Sequence, residues 1–335
     1  MQQQTFAGLE YEMSNTKRVT RKEKFLAQME NVVPWGLLVA TIAPFYHADR
    51  KCGRRPLPLI LVLKMYFLQL WYSLSDENTE DTIYDSNAFQ KFLGVNAFGA
   101  ENVPDSTTLE NFRHLLEEND LAQKLMDKVN EMLEKQGLIM HGGTITDATI
   151  MDAPSSTRNS KKQRDPEMKS TKKGKNYRFG GKLHTGTDAG SGAVVNATVT
   201  AANEHDITQA VHNYREDDDV RYGDAAFVGV EKRREIGTYD AFNAETRTQA
   251  EVRYETSKRP SSRKEKPENL EAINWEKVIE ARKSATRWKV EYPYYILKRI
   301  FGINRCIYKG LKKNANRFIT GLALVNLYMF RERLA

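Results

Sequence analysis

The sequence predicts an α/β chain with an all-helical first part, residues 1–137, and a sheet-forming second part, residues 138–335. Three observations lead there. Between Thr20 and Gly137 the apolar residues recur at helical spacing behind recognisable caps. From Leu138 onward, short β-branched runs bounded by Gly and Pro take over. Two of those runs deliver an aspartate at a strand position where sheet stability alone gives no reason for one.

In the first part, residues 1 to about 19 lack periodicity, and Thr20 with Glu23 then forms a capping box ahead of Phe25, Leu26, Met29 and Val32. Pro34 is expected to stop that helix. After the turn KCGRRP, the Leu-rich run 57–74 makes a second helix carrying Tyr66, Phe67, Trp71 and Tyr72. Lys64 and Gln69 interrupt it, so burial in a helical unit is expected rather than membrane insertion. Helices over 77–85 and 87–93 follow, with Gly94 as a stop. Asp105 or Ser106 caps a helix over 107–117, and Asp120 starts another that aligns Leu121, Leu125, Val129, Met132 and Leu133 before Gly137. The helix bearing Ser106, Thr107, Asn111, Arg113 and His114 follows a turn, as a DNA recognition helix does; a bundle that packs on the second part and helps subunits pair fits equally.

The second part is organised around GGTITDATIMDAP, residues 142–154. Thr144, Ile145, Thr146, Thr149 and Ile150 suit a half-buried strand, which puts Asp147 in its middle. A carboxylate there loses hydration unless a cation or donor replaces the water, so it calls for partners. VRYGDAAFVGV, residues 220–230, is a second β run and ends at Asp224. ATRWKVEYPYYILKRIF, residues 285–301, carries Glu291 with Arg287 four residues before and Lys298 seven after, within about 40° of one another on a helix. Pro293 either bends that helix just past Glu291 or marks the start of a new one. Three acids from separate segments, two at strand ends, suit a pair of divalent cations held for phosphoryl transfer. Hard cations on oxygen ligands mean Mg²⁺, with Mn²⁺ as a substitute.

Between these segments, residues 155–182 form a polar loop with Arg158, Lys161, Lys162, Arg164, Lys169, Lys172, Lys173, Lys175, Arg178 and Lys182 against only Asp165 and Glu167. Charge this one-sided attracts a phosphate backbone without reading bases. Strands are expected over 182–188 and 193–201, joined at the turn DAGSG, whose Asp188 is read as a turn residue. His205 and Asp206 begin a helix that runs to Tyr214, a short helix covers 231–236, and a fifth strand covers 241–246. The basic linker 257–269 leads to a helix from about Leu270, and the tail sets Arg299, Arg305, Lys309, Lys312, Lys313 and Arg317 before a core-covering helix.

Composition agrees with a polyanionic partner. The chain has 335 residues, a net charge of +7 and a pI near 9.1. Its two cysteines, Cys52 and Cys306, are too few for a disulfide framework and suit a reducing cytoplasm. The N-terminal stretch shows no apolar signal-peptide core.

The segments GTITDATIMDAPSSTRN, YRFGGKLHTGTDAGSGAVVNATVTAANEHDITQA, VRYGDAAFVGV and VEYPYYILKRIFGINRCIYKGLKKNANRF resemble, in order, the blocks of bacterial insertion-sequence DDE transposases of the insertion-sequence-five group. The likeness runs from about Pro56 to the C-terminus. It implies an RNase H-like catalytic domain, a mixed five-stranded sheet flanked by helices, with Asp147, Asp224 and Glu291 as catalytic and metal-binding acids. Separations of 224 − 147 = 77 and 291 − 224 = 67 suit a compact member. The family pattern of Arg, three residues, Glu, six residues, Lys stands here as Arg287, Glu291 and Lys298, whereas Ser284 replaces a Tyr common in the wider superfamily. The resemblance implies cutting at terminal inverted repeats, joining of 3′-OH ends to target DNA, two Mg²⁺ ions, and at least a dimer when two ends are paired, with no membrane partner. DNA contacts are expected from Arg287, Lys298, Arg299, Arg305, Lys309, Lys312, Lys161, Lys162, Lys172 and Lys173. A plain nuclease of the same fold, and a DNA-binding regulator derived from a transposase, are the alternatives.

Overall fold

The computed structural model describes residues 18–46, 56–96, 103–246, 251–258 and 275–335. Most of the second basic linker, the expected helix start near Leu270, and Cys52 lie outside the described residues.

Among the described residues the regular elements of the first part are all helical: α1 (Arg21–Val32), α2 (Trp35–Ile42), α3 (Leu59–Tyr72), α4 (Asp76–Asp85), α5 (Asn87–Leu93), α6 (Ser106–Glu118) and α7 (Leu121–Lys135). Thr20 Oγ1 accepts the Glu23 N–H at 3.1 Å, as the capping box requires. Pro34 does end α1, but it also serves as the N-cap of α2, a helix that the sequence pattern does not announce. Nine residues of α3 are buried, so its apolar run fills the core. Among the described residues no single helix is long and apolar enough to cross a membrane; α1 and the segment Trp35–Phe45 pass that test only as a pair bent by 69°.

The sheet has six strands: β1 (Thr144–Asp152), β2 (Lys169–Lys173), β3 (Asn176–Asp188), β4 (Val194–Ala201), β5 (Val220–Gly223) and β6 (Arg253–Thr256). β1 lies between β3, antiparallel, and β5, parallel; β6 extends the sheet parallel to β5. β2 and β4 share the far edge of β3, pairing residues 176–180 and 181–187 respectively, so six strands fill five columns. Two sequence expectations need correction. The basic stretch 155–182 is not all loop: it holds β2 and the first half of β3, a lysine-rich edge hairpin whose charges discourage further strand addition. The last strand is β6, whereas 241–246 is the end of a helix and a 3-10 turn.

Four helices complete the described second part before the last turn: α8 (Ala210–Asn213), α9 (Arg234–Phe242), α10 (Trp275–Arg287) and α11 (Glu291–Tyr295). A 3-10 turn, Trp288–Val290, joins α10 to α11, and a π-helical turn, Ile296–Ile300, follows. Pro293 therefore sits in the first turn of α11, where its missing N–H costs little. α12 (Leu311–Met329) and α13 (Arg331–Leu334) close the chain. α12 is buried along most of its length between α7 and β4, so the helices of the first part and one face of the sheet share a continuous hydrophobic core. Asn326 ties this junction with 2.8 Å and 2.7 Å bonds to Asn130 Oδ1 and the Val194 carbonyl.

Candidate active site

β1 and β5 run side by side in parallel register, with Thr146 opposite Gly223. Asp147 and Asp224 each come one residue later, so the strand spacing of about 4.8 Å sets their backbones next to each other. Gly143 enables this approach: its φ is +88°, and a Cβ there would lie 2.2 Å from the Val220 carbonyl oxygen. Asp224 leaves β5 as the N-cap of a 3-10 turn, its Oδ1 accepting the Ala226 N–H at 2.8 Å.

The third acid arrives on α11, which crosses the same face of β1. Tyr294, buried, places its hydroxyl 2.7 Å from Thr185 Oγ1 and donates to the Asp147 backbone carbonyl at 3.2 Å. Thr185 is itself the β3 residue directly opposite Asp147. Lys298, one turn on, donates to Thr149 Oγ1 at 2.5 Å and to the Ile150 carbonyl at 3.3 Å. These anchors hold Glu291, exposed, over the strand that carries Asp147. Sequence reasoning missed Tyr294. The apolar period Val290, Tyr294, Leu297, Phe301 was the signal that could have found it.

Asp147 is half-buried, and its carboxyl is pushed up to about 6. Burial is the main cause, the negative charges of Asp224 and Glu291 add to it, and the Ala148 N–H and the Arg287 charge oppose it. The three acids therefore share one electrostatic neighbourhood. They do not form a closed cage: among the described residues no group of three or more His, Cys, Asp or Glu side chains stands ready to hold a metal ion. The donor chemistry still fits a hard divalent cation, since all three groups offer carboxylate oxygen and their mutual repulsion is what a bound cation would relieve.

The expected cationic residues divide by location. Arg287 donates to Ser257 Oγ at 3.3 Å rather than pairing with Glu291. Lys298 and Arg299 line a cleft of about 570 Å³ beside Glu291 and also a groove of about 880 Å³ that continues past Arg305 to Ser73, Ser75 and Asn78 of the helical part. Lys161, Lys162, Lys172 and Lys309 are exposed, Lys312 is exposed but pairs with Asp120 at 3.0 Å, and Lys173 ends β2. Asp165 and Glu167, the two acids of the basic stretch, accept the N–H groups of Gly310 and Leu311 at 2.6 and 2.8 Å. They thus cap α12 and so are turned away from the exposed Lys161, Lys162 and Lys172. Two expectations change. Arg113 is buried, ion-paired with Asp76 and stacked on Tyr308, so it is a core pillar and not a base-reading side chain of α6. Arg317 is likewise buried, donating to Ser73 Oγ and the Arg305 carbonyl.

Asp188 is fully buried as a turn residue, accepting N–H groups from Met140, Gly142 and Ser191. His205 and Asp206 stand as expected at the start of a helical segment, His205 as the N-cap of a 3-10 turn, Asp206–Gln209, and Asp206 in its first turn, where it also pairs with Lys182 at 2.9 Å.

A mixed sheet whose adjacent parallel strands present two acids, with a third on a helix laid across them, is an arrangement suited to chemistry at phosphodiester bonds. The family model described as transposase DDE domain matches residues 140–327, more than half of the chain, and the model described as transposase domain (DUF772) matches residues 14–115. The chain belongs to the DDE transposase family, encoded by mobile elements and acting on DNA, and that family's catalytic domain is RNase H-like. No solved structure matches it.

Proposed function

We propose that this protein is an insertion-sequence transposase of the insertion-sequence-five group, which cuts at the terminal inverted repeats of its element and joins the freed 3′-OH ends to target DNA. One observation carries the reading: the parallel pairing of β1 and β5 sets Asp147 beside Asp224 in the middle of the sheet, and the helix of Glu291 is pinned to the same strand through Tyr294. Two divalent cations, Mg²⁺ or Mn²⁺, held by Asp147, Asp224 and Glu291 would supply activation of the attacking oxygen and stabilisation of the leaving one. The chain's own part is positioning. Tyr294 and Thr185 fix the backbone at Asp147, Gly143 brings β5 close, and the Asp224 carboxylate is held by the Ala226 N–H. Such an arrangement needs no protein nucleophile.

DNA would follow the cations. Arg287, Lys298 and Arg299 stand nearest the acids. Arg305, Lys309 and Lys312 continue the path, and Lys161, Lys162, Lys172 and Lys173 form an outlying arm that meets phosphates. Joining two ends calls for at least a dimer, and the nucleoid of a reducing cytoplasm is the proposed place of work. The test is metal-dependent cleavage and strand transfer on DNA carrying the element's own termini. Asp147→Ala, Asp224→Ala and Glu291→Ala should each abolish cutting while duplex binding persists. Retained cutting in Asp224→Ala would overturn the assignment, and cutting without joining would make the protein a nuclease of the same fold.

A further inference from the structure

Part of the sheet is only two strands wide. β1 pairs with β3 as far as Asp152 opposite Gly180, and β4 pairs with β3 only from Gly181 onward. Residues 176–179 of β3 therefore pair with β2 alone, and the two strands meet at a turn through Gly174, with φ +63°, and Lys175. This ribbon runs roughly 13 Å beyond Asp152. A two-stranded ribbon is marginal in water unless its base is fastened. Here Ala153 donates to the Phe179 carbonyl at 2.8 Å, Arg178 Nε donates to Asp152 Oδ1 at 2.7 Å, the Arg164 guanidinium lies over the Phe179 ring, and Met168 is buried.

The fastened base leaves the far end bare. Tyr177 is 77 % exposed, and Lys172, directly opposite, holds its ammonium 5.7 Å from the ring centroid. Phe179, two residues nearer the sheet on the same face, is the ring that packs against the core. Lys169, Lys172 and Lys175 are exposed, and the sequence has no acid between Met168 and Phe179. A ligand for this end must carry negative charge outside and offer flat apolar faces within reach of a narrow ribbon. Duplex DNA does both: a ribbon of two strands fits a groove, lysines meet the phosphates along its walls, and an apolar side chain can enter a base step.

We propose that the β2–β3 ribbon enters a groove of the bound duplex and wedges the Tyr177 ring between stacked base pairs, kinking the DNA. This rests on the transposase reading above and adds a bending device outside the three-acid site. Tyr177 lies eight residues along β3 from Thr185, the residue opposite Asp147, a span of roughly 26 Å.

Energy transfer between dyes on the two ends of a short duplex carrying the element's terminal repeat reads the kink. Wild-type protein should bend it by about 20–90°. Tyr177→Ala changes an exposed side chain, so it should keep the wild-type melting temperature and still bind, but leave the duplex straight; Tyr177→Phe should bend it as wild type does. A duplex already kinked by a bulge should be bound roughly tenfold more tightly than the straight one by wild type, because the unstacking cost is met in advance, and without preference by Tyr177→Ala. Lys169→Ala combined with Lys175→Ala should weaken binding and its salt dependence, with the kink retained in the DNA that is bound. Wild-type binding without a kink, an unchanged kink in Tyr177→Ala, or a change in sedimentation of Tyr177→Ala showing that the ribbon joins copies of the chain would overturn the wedge and leave the transposase reading standing. Failure of wild-type protein to bind and cut the terminal repeat would overturn that reading, and the wedge with it.

Discussion

Asp147 is a residue whose charge the fold disfavours until something cancels it. Its folded carboxyl is raised to about 6 from an ordinary value of 3.8. Between those pH values the folded state binds more protons than the unfolded one, so stability falls as pH rises through the window. Asp147→Asn should therefore raise the melting temperature in metal-free buffer above pH 6, by the equivalent of roughly 1–2 kcal/mol after allowing for partial exposure, and the gain should vanish below about pH 4. Mg²⁺ should stabilise the wild type and not the variant; thermal melts with and without the ion at pH 8 check both. Tyr294 links two of the acids by touching the Asp147 carbonyl one helical turn from Glu291. Tyr294→Phe should raise the half-saturating Mg²⁺ concentration for cleavage and lower the rate about 10-fold with DNA binding intact, because one hydrogen bond of about 1–1.5 kcal/mol holds the geometry. Asp147 and Asp224 could be singled out in the sequence because acids on β runs contradict strand propensity, whereas Glu291, on a helix, stood out only through its spacing from Arg287 and Lys298. Tyr294 was not legible, because EYPYY offers three tyrosines and only packing decides that Tyr294 turns inward while Tyr292 and Tyr295 turn out.

At the scale of elements, the pairing of β1 with β5 is what juxtaposes Asp147 and Asp224. Gly143 permits it, and Gly143→Ala both strains a backbone at φ +88° and forces a Cβ to 2.2 Å from the Val220 oxygen. A loss of about 2–4 kcal/mol is expected, measured by denaturant unfolding, together with loss of cleavage. The ion pair of Arg113 with Asp76 joins α6 to α4 in a buried setting. Arg113→Ala should cost about 3 kcal/mol in the same assay, because it strands a carboxylate. Helices with caps and long periods were readable directly. The misses have physical reasons. β2 reads KSTKK because an edge strand can carry lysines, and α2 was hidden because Pro34 stops one helix and opens the next. β6, only four residues long, depends on its parallel pairing to β5, a nonlocal interaction that no local pattern announces.

Over the whole molecule, a net charge of +7 is distributed so that two acids of the basic stretch are spent on the N-terminus of α12 while Lys161, Lys162, Lys169, Lys172 and Lys175 stay exposed. DNA affinity should fall linearly on a log–log plot against salt. Replacing Lys161 and Lys162 with Ala should lower the slope by about 0.9 for each phosphate that the chain no longer neutralises, with cutting at saturating DNA unchanged. The class of the fold and the polyanionic partner were legible from composition and segment order. The joint burial of α12 by α7 and β4 was not, since the apolar stripe of a terminal helix does not say which neighbour it meets.

That shared interior has an evolutionary reach. A protein built as beads on a string can acquire a new end-binding module by gene fusion, because each bead keeps its own interior. Here an exchange of the first 137 residues would strip the cover from the final helix and leave Asn326 without Asn130. New mobile elements of this design must therefore diverge by substituting outward-facing residues one at a time, and chimaeras joined near Gly137 should come out of the cell as aggregates.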